Sequence, residues 1–336
     1  MNDRARIGLS AAGVVAIFLA VQFGALALVE PFQSTHGPAV EDPQDPANSG
    51  VFFGVILVAT AIMLAAFRYD ADRFIRWLIV GVSVLLSWYV FVVLIPPVVT
   101  VGGVNAIAGL AAGALGLGVL VYPEWYVVDA AGVLMAAGAA ALFGISFGLL
   151  PALLFLVVLA VYDAISVYRT EHMLSLADGV LDLKIPVVFV VPTSLGYSYL
   201  DDGPRPDGSA NGANVASEQA SNEPEAPPAT DGAGEPDPLD RDALFVGLGD
   251  AVIPTILVAS SVTFLDAPLL DVPVFTLTLP ALGAIVGTTA GLAILLSMVL
   301  KGKPHAGLPL LNGGAIAGYL LGAIAAGLSV ATALGL

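Results

Sequence analysis

The chain has 336 residues, of which 58% are hydrophobic and 11% charged, and its mean hydropathy is +0.93. That balance excludes an ordinary soluble domain and predicts an all-α polytopic membrane protein. Eleven Lys and Arg stand against 27 Asp and Glu, a net charge of -16, which argues against nucleic acid and anionic-lipid partners.

A membrane-crossing helix needs about 20 mostly apolar residues. On that basis nine spans are expected, at roughly 8–29, 50–67, 75–95, 103–121, 127–143, 146–168, 243–265, 273–300 and 306–334. The first follows Arg4 and Arg6 and contains Ala25-Leu26-Ala27, which resembles a signal-peptidase site. Its apolar run is longer than the usual 7–15 residues of a signal core, so it reads as a retained anchor. In the fourth, Gly109, Gly113, Gly116 and Gly118 suit close packing of helix on helix. The fifth is short, and its break from the sixth is expected at Phe143-Gly144.

Charge supports this count. With the N-terminus inside, all eleven basic residues fall on one side: Arg4, Arg6, Arg68, Arg73, Arg76, Arg169, Lys184, Arg205, Arg241, Lys301 and Lys303. The opposite segments carry Glu30, Glu41, Asp42, Asp45, Asp266 and Asp271 and no Lys or Arg. Merging spans five and six would put Lys301 and Lys303 opposite Arg68. Nine spans are therefore expected in the cell membrane, with the N-terminus cytoplasmic and the C-terminus outside.

Three regions follow: spans one to six over 1–168, a cytoplasmic loop over 169–242, and spans seven to nine over 243–336. Within the loop, Val187, Val188, Phe189, Val190 and Val191 lie between Pro186 and Pro192 and predict a short strand. From Asp201 to Asp242 there are eleven acids and two arginines among many Pro, Gly, Ala, Ser and Asn. The part from about 201 to 240 is expected to be a disordered tether, because it cannot bury enough apolar surface to offset ordering.

Two aspartates stand inside apolar runs: Asp163 in the sixth span and Asp250 in the seventh. Carboxylates there are costly and usually functional. Asp163 is six residues from Arg169 and Asp250 eight from Asp242, so the two lie about 9 and 12 Å from the same end. Pro254, one turn after Asp250, weakens the local helix. Two facing carboxylates share one proton. The ionised member can take a proton from water while the other hydrogen-bonds a substrate carbonyl. That is aspartic-protease chemistry, and no metal or cofactor is called for. There is no cysteine in the chain, which excludes a thiol nucleophile and a thiolate metal site. Its three scattered histidines, His36, His172 and His305, do not suggest zinc.

Tyr162-Asp163 and Gly247-Leu248-Gly249-Asp250 resemble the YD and GxGD signatures of the presenilin and signal peptide peptidase family of intramembrane aspartyl proteases. The following Ala251-Val252-Ile253-Pro254 is more similar to the signal peptide peptidase branch. The resemblance runs the length of the chain and implies nine helices, with Asp163 and Asp250 catalytic and Tyr162, Gly247, Leu248 and Gly249 lining the site. The family's third signature, PAL, belongs at the start of span nine. There this chain has Ala306-Gly307-Leu308-Pro309, whereas a literal Pro280-Ala281-Leu282 sits in span eight, near its outer half. Pro309 lies six residues past Lys303, about 9 Å deep like the aspartates. Gly307, Leu308 and Pro309 therefore take the PAL role.

The expected activity is hydrolysis of peptide bonds within transmembrane helices, such as remnant signal peptides or single-span proteins, near the cytoplasmic side. Residues 187–191 would pair with an unwound substrate segment, or else form a structural hairpin. The alternative is an ion- or proton-coupled transporter using the two carboxylates as a relay. Glu124 and Asp129 read as markers of entry to span five. The expected partners are transmembrane-helix substrates and the lipid bilayer.

Overall fold

A computed structural model describes residues 3–69, 71–169, 187–193, 197–198, 243–270, 272, 275–300 and 306–336. The tether expected over 201–240 lies outside the described residues. Six helices come first: α1 (Asp3–Thr35), α2 (Ala47–Arg68), α3 (Asp72–Leu94), α4 (Ala106–Val121), α5 (Trp125–Ser146) and α6 (Leu149–Arg169). A two-residue hairpin, β1 (Thr100–Val101) with β2 (Val104–Asn105), precedes α4. After α6 come β3 (Val188–Pro192), β4 (Ala243–Gly247) and α7 (Leu248–Phe264). A second small hairpin, β5 (Leu269–Leu270) with β6 (Leu277–Thr278), leads into α8 (Leu279–Val299), α9 (Gly307–Ala325) and the short α10 (Val330–Ala333).

Among the described residues, seven helices are long and apolar enough to cross a membrane, and α4 and α7 are shorter apolar helices. The protein is thus a mostly helical, multi-pass membrane protein. α1 is central: Val14, Phe18, Val21, Ala25 and Phe32 are buried in the core beside Ala137, Ala140 and Ala141 of α5 and Ile256 to Ala259 of α7. α2 is peripheral and exposes Val51, Val55, Val58 and Ile62.

The break between α5 and α6 falls at Phe147-Gly148, one turn beyond the expected Phe143-Gly144. Gly144 lies inside α5, where the absence of a side chain lets Ala259 of α7 approach. Gly148 turns the corner: its N–H donates to the Pro43 carbonyl at 2.7 Å, and a Cβ there would strike Gln44. The fourth span also starts later than expected, because Gly102 and Gly103 take positive φ and form the β1–β2 turn. Asn105 then caps α4, accepting from the Ala108 N–H.

Close helix packing centres on α8 and α9 rather than on the α4 glycines. Gly109 and Gly113 face open space, and in α4 only Gly116 is tightly opposed, by Val84. On α8, Gly283, Gly287 and Gly291 meet the α9 backbone at Gly318, Gly314 and Leu310. Spaced four apart, these glycines form one stripe per helix. A Cβ at any of them would overlap a carbonyl of the partner helix. The seam fixes α8 against α9 at backbone contact.

Candidate active site

Residues 243–247 were expected to begin span seven as helix, but they form β4, paired antiparallel with β3 in the register Val188↔Gly247 to Pro192↔Ala243. Leu244, Phe245 and Val246 are apolar enough to continue a span, yet they run extended beside β3, which pairs the backbone groups of Leu244 and Val246. The Leu248 N–H donates to the Val187 carbonyl at 2.9 Å, carrying the ladder one step further. Gly247 is then the N-cap of α7, and Asp250 sits in its first turn. A carboxylate at that position is stabilised by the unpaired N–H groups and dipole of the helix start. Asp250 Oδ2 lies 3.2 Å from where a Cβ on Gly247 would stand, so the bare glycine makes room for the carboxylate. Pro254, four residues on, has no N–H and leaves the Asp250 carbonyl without its helical donor.

α9 begins the same way. Ala306 is its N-cap, followed by Gly307, Leu308 and Pro309 in the first turn. The Leu308 N–H donates to Asp163 Oδ2 at 3.0 Å, with a second backbone interaction from Gly307. Pro309 lacks an N–H, so it removes a donor that the helix could not use. Asp163 itself is 4% exposed. Asp250 Oδ2 is 3.9 Å from where a Cβ on Gly307 would stand, beside the Leu308 N–H that holds Asp163. Two helix starts thus converge on two carboxylates within the bundle.

The other sequence-predicted residues divide. Leu248 is half-buried, with its side chain beside Gly132 of α5. Gly249 is exposed. Tyr162 turns away along α6, and its ring packs edge-on against Phe53 of α2 with centroids 5.6 Å apart. Pro280, Ala281 and Leu282 lie at the opposite end of α8 from the carboxylates. Pro280 sits against Gly322, whereas Leu295, fifteen residues and about 22 Å further along, touches Gly307.

The strand expected at 187–191 forms at Val188–Pro192. Alternation along the ladder directs the backbone groups of Val188, Val190 and Pro192 away from β4. That edge is occupied. The Val190 N–H donates to Asp129 Oδ1 at 2.7 Å. The Ser10 hydroxyl donates to the Pro192 carbonyl at 2.9 Å, and Arg6 Nε to the Thr193 carbonyl at 3.2 Å. On that edge α1 and α5 therefore hold the Val190 N–H and the Pro192 carbonyl, beside the residues Val187, Val188, Phe189, Val190 and Val191 expected to pair with substrate. Asp129 is the residue that sequence reasoning passed over, because its partner is 61 positions away.

Two apolar grooves reach the carboxylate end from the bundle surface. One, of about 260 Å³, lies between α6 and α9 and is lined by Ala160, Ala164, Pro309 and Asn312 among others. The other, of about 710 Å³, follows the α8–α9 seam to Pro309.

A family model described as signal-peptide peptidase, presenilin aspartyl protease matches residues 15–328. Two solved structures of a presenilin family intramembrane aspartate protease are similar to this chain. The one in space group C222 is 35% identical, covers 94% of this chain and 99% of its own, and gives a TM-score of 0.63. The one in P2 is 34% identical, covers 94% and 97% respectively, and gives 0.60. No curated protein matches the chain.

Proposed function

Because the chain belongs to the signal-peptide peptidase and presenilin family, and so is an intramembrane aspartyl protease, we propose that Asp163 and Asp250 are its catalytic dyad. The observation that carries this assignment is their convergence on the Gly307-Leu308 helix start. Nothing in the comparisons supports the transporter alternative.

In the proposed mechanism one carboxylate is ionised and the other protonated. The ionised member takes a proton from water, whose oxygen attacks the scissile carbonyl. The protonated member gives its proton to the carbonyl oxygen, leaving a neutral gem-diol. Collapse breaks the C–N bond as the nitrogen takes a proton from the carboxyl that received it from water. The gem-diol returns a hydroxyl proton to the other carboxylate. One proton remains on the pair, ready for the next cycle.

The substrates proposed are transmembrane segments of remnant signal peptides or single-span proteins. A helix hides its peptide bonds, so a substrate must unwind locally before attack. The groove between α6 and α9 offers an apolar path from the bundle surface to Pro309 and to Ala164, the residue after Asp163. The proposed topology has nine passes, with α4 and α7 counted as short spans, the N-terminus inside and the dyad near the cytoplasmic face of the cell membrane. The sorting of all eleven basic residues supports it.

The test is purified protein in detergent with a labelled single-span peptide. Native protein should cleave it, while Asp163→Ala and Asp250→Ala, folded and inserted, should each lose at least about a thousandfold because the two carboxyls act as a unit. Comparable cleavage by either variant would overturn the assignment.

A further inference from the structure

Asp129 is 8% exposed within an apolar helix, and the catalytic proposal gives it no part. Its Oδ1 accepts the Val190 N–H at 2.7 Å, at the centre of β3. One turn along α5, Gly132 receives the preceding residue of that strand, Phe189. A Cβ on Gly132 would stand 2.8 Å from the Phe189 ring and 3.6 Å from Leu248 Cδ1. Residues three apart share a helix face, so α5 offers β3 an acceptor and a gap side by side. Val128, the residue before Asp129, packs with Val190, Ala243 and Phe245.

The hairpin transmits that placement to α7. Val188 pairs with Gly247, and the Val187 carbonyl holds the Leu248 N–H. Only Gly249 separates Leu248 from Asp250. A strand can slide in register against its neighbours unless something pins it. Asp129 pins this one through a side-chain acceptor at 2.7 Å, at a depth where an unpaired N–H is costly.

Resting on the assignment of the dyad above, we propose that Asp129 is a positioning residue of the protease: by holding the Val190 N–H it sets the height of Asp250 against Asp163. It touches neither substrate nor water. Its removal should therefore lower turnover without weakening substrate binding, since the groove between α6 and α9 contains none of its contacts.

The experiment uses the full chain and the single-span peptide, with native protein and Asp250→Ala run alongside. Active protein is counted with a hydroxyl-bearing transition-state mimic, so misfolded material does not enter kcat. Asp129→Leu should lower kcat at least tenfold with KM within twofold of native, and should shift the pH profile of kcat as the carboxylates move relative to each other. Asp129→Asn keeps an oxygen acceptor and should stay within threefold of native. A role in stability alone would reduce the active count and leave kcat and the pH profile of the counted molecules unchanged, which would overturn the proposal. So would a defect confined to KM, or an Asp129→Asn variant as poor as Asp129→Leu. If Asp129→Leu does not fold, Gly132→Ala tests the same seat by crowding Phe189 while keeping the acid. Native kcat and pH profile in that variant would overturn the proposal. If native protein itself fails to cleave, or Asp250→Ala cleaves, the dyad assignment has failed and not the role of Asp129.

Discussion

Leu308 donates its backbone N–H to Asp163 Oδ2 at 3.0 Å, joining residues 145 positions apart. The donor is a peptide group, so the identity of the side chain at 308 is secondary to the helix start that presents it. This accounts physically for a third motif that departs from PAL. What the geometry uses is a glycine followed by an N–H, and then a residue such as Pro309 that begins a helix without a spare donor.

Leu308→Pro separates the donor from the side chain. Proline is tolerated in the first turn of a helix, so α9 should still form while the bond to Asp163 disappears. A hydrogen bond to a charged group contributes about 1.5–3 kcal/mol, which corresponds to a loss of roughly 10- to 100-fold in kcat/KM. Leu308→Ala retains the N–H and should stay within several-fold of native. Peptide cleavage by both variants, with folded protein verified by circular dichroism, checks this. Equal activity in the two would show that the N–H does not matter.

Cleavage should depend on pH as a bell, because the singly protonated pair is the working form. On the acid side the base gains its proton and activity falls. On the alkaline side the acid loses its proton and activity falls again. Initial rates across the range where the protein stays folded provide the measurement, and a flat profile would count against proton sharing.

Proximity across the site is open to a chemical test in a chain with no cysteine of its own. Gly307→Cys with Asp250→Cys should form a disulfide, since bridging needs Cα atoms within about 7 Å. Leu282→Cys with Asp250→Cys should not. Gel shift under oxidising conditions reads both pairs, and the reverse pattern would assign the literal Pro280-Ala281-Leu282 to the site.

The α8–α9 seam should be intolerant of a single methyl. A Cβ on Gly287 would overlap the Gly314 carbonyl, which is backbone and cannot rotate away. Gly287→Ala should therefore cost about 1–3 kcal/mol, read as a lowered thermal midpoint in detergent. Gly113→Ala meets nothing within 4 Å and should leave the midpoint unchanged or slightly raised.

The membrane class and the family were legible in the sequence, and so was the depth shared by Asp163, Asp250 and Pro309. A charge in an apolar run is conspicuous, and counting residues from the nearest basic or acidic end measures depth. β4 was not legible, because Leu244-Phe245-Val246 carries the same hydropathy as the helix after it. Only pairing with Val188 to Pro192 reveals it. The α8–α9 seam was hidden by abundance: among 37 glycines, spacing alone does not show which stripe finds a partner. Asp129 was hidden by distance, since an acid near a span entry looks the same whether it faces water or a strand.

Admission of a substrate helix must be lopsided. The three glycine contacts lock α9, and with it the Leu308 donor, to α8 like the fixed jaw of a vice. Sliding either helix along the seam would drive a carbonyl into a neighbouring Cα. α6 has no such glycine stripe: it meets α9 beside a groove lined by Ala160 and Ala164, through the buried Asn312 amide that donates to the Leu156 carbonyl at 2.9 Å, and it has the largely exposed α2 beyond it. A substrate helix that parts α6 from α9 would therefore carry Asp163 away and stretch or break its bond to Leu308. Return of α6 would remake that bond, so on the proposed assignment the dyad is complete only with α6 and α9 together.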